Sequence, residues 1–115
     1  MKDLEWLADS RSDVRSFPAS VQDDIGYALY LAQLGKRDAN AKPMQGLGGG
    51  VMEVAAYDSS GTYRAVYTVS IGDSIYVVHA FQKKAKSGIA TPKSEIDLIR
   101  RRVKQLRSEV RNAEE

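Results

Sequence analysis

Three short apolar runs, separated by two tight-turn signals, constrain this chain more than anything else in it. Val51 to Tyr57 ends at Asp58-Ser59-Ser60-Gly61, Thr62 to Ile71 ends at Gly72-Asp73, and Ser74 to Gln82 completes the set. Turns of this composition join antiparallel strands, so a three-stranded meander is expected over residues 51–82. The middle run alternates. Tyr63, Ala65, Tyr67, Val69 and Ile71 make one apolar face, and Thr62, Arg64, Val66, Thr68 and Ser70 make a mixed, polar one. Arg64 is therefore expected on the open face of a sheet, away from the core. In the third run, strict alternation groups Ile75, Val77, His79 and Phe81 opposite Tyr76, Val78, Ala80 and Gln82. Both sets are apolar, the mark of a central strand covered on both sides, and the face of His79 stays open.

The third run closes on His79 to Lys84, HAFQKK, and leads into a basic segment, Ala85 to Thr91. A buried strand here is expected to deliver cations to a surface. The charge distribution agrees. Residues 1–82 hold seven Lys or Arg against ten Asp or Glu, whereas residues 83–115 hold ten against five. Positive charge gathered at one end of a chain favours a polyanionic partner, or else coats a solvated helix.

Before the meander, Leu4 to Ala8 reads as a short strand with Trp6 as a core anchor. Ser10 to Phe17 is expected to form a short helix capped by Ser10 or Ser12. Between Pro18 and Leu34, apolar Val21, Ile25, Ala28, Leu29 and Ala32 recur at helical spacing, and Gly35 stops the pattern. Together these two elements are expected to make a helical hairpin. Lys36 to Gly50 reads as a loop. Its Gly48-Gly49-Gly50 lacks the Lys-Ser/Thr that would follow in a P-loop, and a strand follows instead of a helix, so it is read as a strand-entry turn. After the basic segment, Thr91-Pro92 signals an N-cap with proline at the first helical position. Ile96, Ile99, Val103, Leu106 and Val110 then form a narrow apolar stripe that either docks on the body or receives a partner. The expected class is α+β: a small antiparallel sheet, the first strand plus the meander, packed on the N-terminal hairpin, with a C-terminal amphipathic helix, in one domain over 1–115.

Composition narrows the chemistry. With no cysteine and one histidine, thiolate metal sites are excluded and a histidine-based one is disfavoured. No apolar run approaches the roughly 20 residues of a membrane span. Early acidic residues argue against a secretory leader, so a cytoplasmic protein without membrane or small-molecule cofactor is expected. No acidic pair falls on the polar strand face, and no spaced serine motif accompanies His79. Phosphate chemistry carried by Arg and Lys remains. Cations can hold a phosphodiester and stabilise its developing charge without a metal, and RNA supplies its own 2′-hydroxyl nucleophile.

Four segments, KPMQGLGGGVMEV (Lys42 to Val54), SSGTYRAVYTV (Ser59 to Val69), HAFQKK (His79 to Lys84) and TPKSEI (Thr91 to Ile96), together with the order of elements, resemble the RelE/ParE toxin superfamily, and within it the HigB-like, phage-derived toxins of type II toxin–antitoxin systems. The resemblance spans nearly the whole chain. It implies a ribosome-associated mRNA endonuclease neutralised by a helix-turn-helix antitoxin. It places the catalytic role on Arg64, Lys83 and Lys84, with Lys84 or His79 as acid–base candidates and Lys84 favoured. RNA contacts are expected from Lys42, Lys86, Lys93 and Arg100. The chain departs from RelE in carrying Glu53 and Ala55 where RelE has strand lysines, and in lacking a catalytic tyrosine after Lys84. Two other readings stay open: a ParE-like, non-catalytic inhibitor of DNA gyrase, and a non-catalytic RNA-binding relic.

Overall fold

The computed structural model describes residues 1–83 and 91–114. Eight elements follow in order: β1 (Leu4–Trp6), α1 (Ser10–Arg15), α2 (Ala19–Gln33), β2 (Ala41–Pro43), β3 (Val51–Asp58), β4 (Gly61–Thr68), β5 (Ile75–Lys83) and α3 (Lys93–Glu114). They form an α+β domain around a five-stranded sheet of order β1-β5-β4-β3-β2. The meander β3-β4-β5 stands as expected. The sheet differs from the expectation at its two margins. β1 pairs with β5 in parallel, Leu4 opposite Ile75 and Trp6 opposite Val77. β2 arises inside the presumed loop, pairing Lys42 with Glu53 against the edge of β3. Three residues containing a proline carry no strand period, which is why composition alone reads them as loop.

The α1/α2 side is a dry core. Val21, Ile25, Ala28, Leu29 and Ala32, the residues that set the helical period of α2, are all buried, against Tyr63, Ala65 and Tyr67 of β4 and Ile75 and Val77 of β5. Burial pushes the Tyr67 phenol up to about 12, with Asp38 adding to the effect. Neither candidate serine caps α1. Ser10 is buried and donates its hydroxyl to the Val77 carbonyl, stitching α1 to β5, while Ser12 donates to the Asp9 carbonyl.

The opposite face, expected to lie open, is covered by α3. Ile99, Val103 and Leu106 pack on Val51, Val66, Val78, Phe81, Leu47 and Ile71, with Ile96 and Val110 half-buried on the flanks. The stripe therefore docks on the body. Its helix starts one residue later than expected: the Pro92 carbonyl accepts from the N–H groups of Glu95 and Ile96, and the Thr91 hydroxyl turns to the sheet instead of capping. Arg107 reaches back to the carbonyls of Leu47 and Gly49, so the triple-glycine loop is tied to α3. Gly50 has φ +79, and a Cβ there would lie 1.9 Å from Ser70 Oγ, which fixes glycine at this strand entry. No described helix is long and apolar enough to cross a membrane.

Candidate functional site

A single irregularity decides which side chains meet. The β4–β5 register shifts between Val66 and Tyr67: Val66 opposes His79, but Tyr67 opposes Val77. Val78 is the extra residue of a β-bulge, and a one-residue slip exchanges the faces of everything beyond it. Ile75 and Val77 therefore point to the α1/α2 core with Ala80, while Val78 and Phe81 point to α3. The alternation expected for β5 is broken at this point, and His79 is carried to the α3 face.

On that face the registers define three rows across the sheet. Lys42, Glu53, Val66 and His79 form the first. Ala55, Arg64 and Phe81 form the second, and Tyr57, Thr62 and Lys83 the third. Apolar packing under α3 gives way, towards the β3–β4 hairpin, to an ionic end.

Arg64 is the centre of that end, and it is buried rather than open: its side chain is 8% exposed. It donates to Glu53 at 2.5 Å, and Glu53 is itself 4% exposed at the side chain. Thr91 donates to the other Glu53 oxygen at 2.9 Å and lies 3.5 Å from Arg64 Nη1. The one carboxylate in these rows, Glu53, engages the arginine. A buried charge needs such a partner, since unpaired it costs several kcal/mol.

His79 is buried on the same face. Nε2 bonds to the Glu95 carboxylate of α3, and Arg102, which donates to the Val78 carbonyl at 2.9 Å, approaches Nδ1 at 3.4 Å. The imidazole also stacks on Phe81 with ring centroids 5.4 Å apart. HAFQKK and TPKSEI thus meet in space through His79 and Glu95, and Thr91 of TPKSEI also meets Glu53 and Arg64 of the two preceding segments.

Lys83 ends the third row, diagonal to Arg64 and half-buried. Its ammonium is held below the ordinary lysine value first by loss of solvent, then by the Arg64 and Lys42 charges, with Glu53 opposing. The expected cations Lys42, Arg64 and Lys83 therefore share one electrostatic neighbourhood. Lys93 and Arg100 do not join them. They sit exposed on α3 and pair with Asp97 at 2.8 and 3.6 Å, and the Lys93 hydrogen bond holds that carboxyl below its usual range. Lys84 and Lys86 lie outside the described residues.

Beside Arg64 opens a cleft of about 160 Å³ lined by Asn40, Lys42, Glu53, Ala55, Tyr57 and Arg64. A shallower one of about 440 Å³ runs past His79, Glu95, Phe17 and Tyr63. Glu53, Tyr57, Glu95 and Arg102 were not among the expected site residues. Glu95 was within reach, since it is the acid of TPKSEI. Glu53 stood out as the departure from the strand lysines of RelE.

The family described as Phage derived protein Gp49-like (DUF891) matches residues 12–104. Among solved structures, a free-state, doubly arginine-substituted mutant of the E. coli toxin RelE superimposes with a TM-score of 0.57 at 16% identity, covering 74% of this chain and 86% of that one. The fold is RelE-like. No curated protein matches the sequence.

Proposed function

This chain belongs to the Gp49-like phage-derived protein family, and from that premise we propose that it is the toxin of a toxin–antitoxin pair and cleaves messenger RNA without a metal. The observation that carries the reading is the convergence of Lys42, Arg64 and Lys83, from β2, β4 and β5, on the ionic end of one sheet face. Cations gathered on one sheet face can hold a phosphodiester, and they oppose the charge that grows on phosphorus as the bond breaks. In the reaction, the RNA 2′-oxygen forms a bond to phosphorus and the P–O5′ bond breaks. The proton of the 2′-hydroxyl leaves to a base, and another is delivered to the 5′-oxygen. The products are a 2′,3′-cyclic phosphate and a 5′-hydroxyl. Lys83 has the displaced proton affinity that proton transfer exploits, and Lys84, next in sequence, keeps its assignment as the candidate acid. With both ring nitrogens engaged, His79 takes a positioning role, fixing the bulge of β5 against α3.

One observation favours a second reading. The Glu53 carboxylate compensates Arg64 internally, as suits a binding protein that does no chemistry. Mapping 5′ ends of cellular mRNA after induction separates the readings. New ends that disappear in Lys83→Ala and Lys84→Ala support cleavage. Growth arrest with intact mRNA and DNA damage indicates gyrase inhibition. A helix-turn-helix protein encoded beside the gene and able to relieve the arrest is the expected antitoxin, and the ribosome the expected setting.

A further inference from the structure

We propose that Tyr57 is a stacking platform for an RNA base next to the phosphate held by Arg64 and Lys83, which makes the 160 Å³ cleft a nucleobase subsite; this rests on the RNA reading above. Tyr57 is one of the few large apolar side chains left in solvent, at 60% exposure. The others divide differently. Tyr27 and Tyr30 belong to α2, Leu34 caps its C-terminal end and Met1 lies at the terminus, whereas Tyr57 alone among them lines the cationic cleft.

The rows supply the geometry. Tyr57, Thr62 and Lys83 lie side by side on β3, β4 and β5. Neighbouring strands are about 4.8 Å apart, so the ring and the ammonium root roughly 10 Å from one another with a small threonine between them. Ala55, the same-face neighbour of Tyr57 on β3, is small as well and opposes Arg64. The small Ala55 separates Tyr57 from Arg64 and Glu53 in the lining of the cleft, so a nucleotide there can lie with its base over the Tyr57 ring and its phosphate on the Arg64 side, towards Lys83 in the next row. On the outer edge of β3 the β2 pairing ends at Val54 and is followed by one bond from the Ala55 N–H to the Asn40 carbonyl, and Tyr57 lies beyond it with its ring exposed. Stacking on an aromatic accepts any base, because every base has a π face. Selectivity would come from the exposed Asn40 carboxamide at the cleft rim, which offers both a donor and an acceptor to a base edge.

The test is binding, independent of cleavage. Fluorescence anisotropy measures affinity for a single-stranded RNA whose 2′-hydroxyls are methylated, and for the same strand carrying one abasic position moved along its length. Tyr57→Ala is expected to weaken binding about ten- to a hundred-fold, the range of base–aromatic stacking losses, and Tyr57→Phe to stay within about twofold. Tyr30→Ala, on the exposed face of α2, is expected to bind as the parent does. One abasic position should weaken the parent protein and leave Tyr57→Ala unaffected, a coupling that a merely misfolded variant cannot mimic. Equal binding by Tyr57→Ala and the parent, or equal abasic sensitivity in both, overturns the subsite and leaves the RNA reading standing. Retained, Tyr57-dependent binding with no cleavage of unmodified RNA removes the nuclease reading and leaves the subsite. Failure of the parent protein to bind RNA at all overturns both.

Discussion

On one side of β4, Tyr63, Ala65 and Tyr67 meet Val21, Ile25 and Leu29 of α2 in a core without a charge. On the other side, the alternate residues of the same strand divide. Val66 meets Ile99 and Val103 of α3, while Arg64 is buried with Glu53 and reaches Thr91. The same eight-residue strand is thus dry on one face and ionic on half of the other. A core can be filled by apolar side chains of suitable volume, so the ionic half is not required for folding. Buried ion pairs stabilise weakly at best relative to apolar packing, which directs attention to what the charges do.

The comparison is broken hardest at Glu53. Glu53→Ala leaves Arg64 buried without its carboxylate and is expected to cost about 3–5 kcal/mol in urea unfolding. The paired change Glu53→Leu with Arg64→Met should recover most of that loss, since apolar replacements of a buried pair are often neutral. For the same reason Arg64→Ala alone is a poor probe of catalysis: a lost fold and a lost site look alike in a toxicity assay. An unchanged midpoint in Glu53→Ala would mean that the pair is solvated in solution.

Next come the two apolar halves. Leu29→Ala on the α2 side and Leu106→Ala on the α3 side are each expected to cost about 2–5 kcal/mol, the usual range for a buried leucine. Leu29→Ala should cost more, because residues flanking the α3 seam are only half-buried and can relax into the gap. A Leu106→Ala variant as stable as the parent would show that α3 does not stay docked.

How much of this was readable from the residues follows from where periodicity holds. The stripe of α2 and the alternation of β4 repeat without interruption, so both elements and the dry core are legible from Val21 to Tyr67. In β5 the pattern misleads at one residue. The Val78 bulge exchanges faces, and no period reveals an inserted residue when both faces are apolar. The open face expected for Arg64 failed for a related reason. Its cover, α3, follows in sequence only after residue 90, and whether an amphipathic stripe docks or waits for a partner depends on tertiary contacts. Lys42, Arg64 and Lys83 could be named as cations in advance, but their convergence depends on β2, a strand too short to carry a signal.

A smaller effect sharpens the ionic half alone. The Lys83 ammonium is destabilised by lost solvent and by Arg64 and Lys42, so it sheds its proton below the ordinary lysine value of 10.5. RNA affinity should therefore fall on alkaline titration earlier than an ordinary lysine would allow. Lys83→Arg, which keeps the charge at all accessible pH, should move that fall upward. Identical titrations of the two proteins would take Lys83 out of the phosphate site.

The most direct test uses purified protein and mRNA, on intact ribosomes in magnesium buffer and as free RNA in excess EDTA, comparing the parent with Lys83→Ala after both are shown to melt at the same temperature. Removing one charge-stabilising group from such a site typically costs about 10²–10³ in rate. The expected result is metal-independent cleavage by the parent, leaving 2′,3′-cyclic phosphate ends, and a loss of that order in the variant. Cleavage by Lys83→Ala at the parental rate, or no cleavage by the parent, would contradict the assignment of the ionic half of the α3 face as a nuclease site.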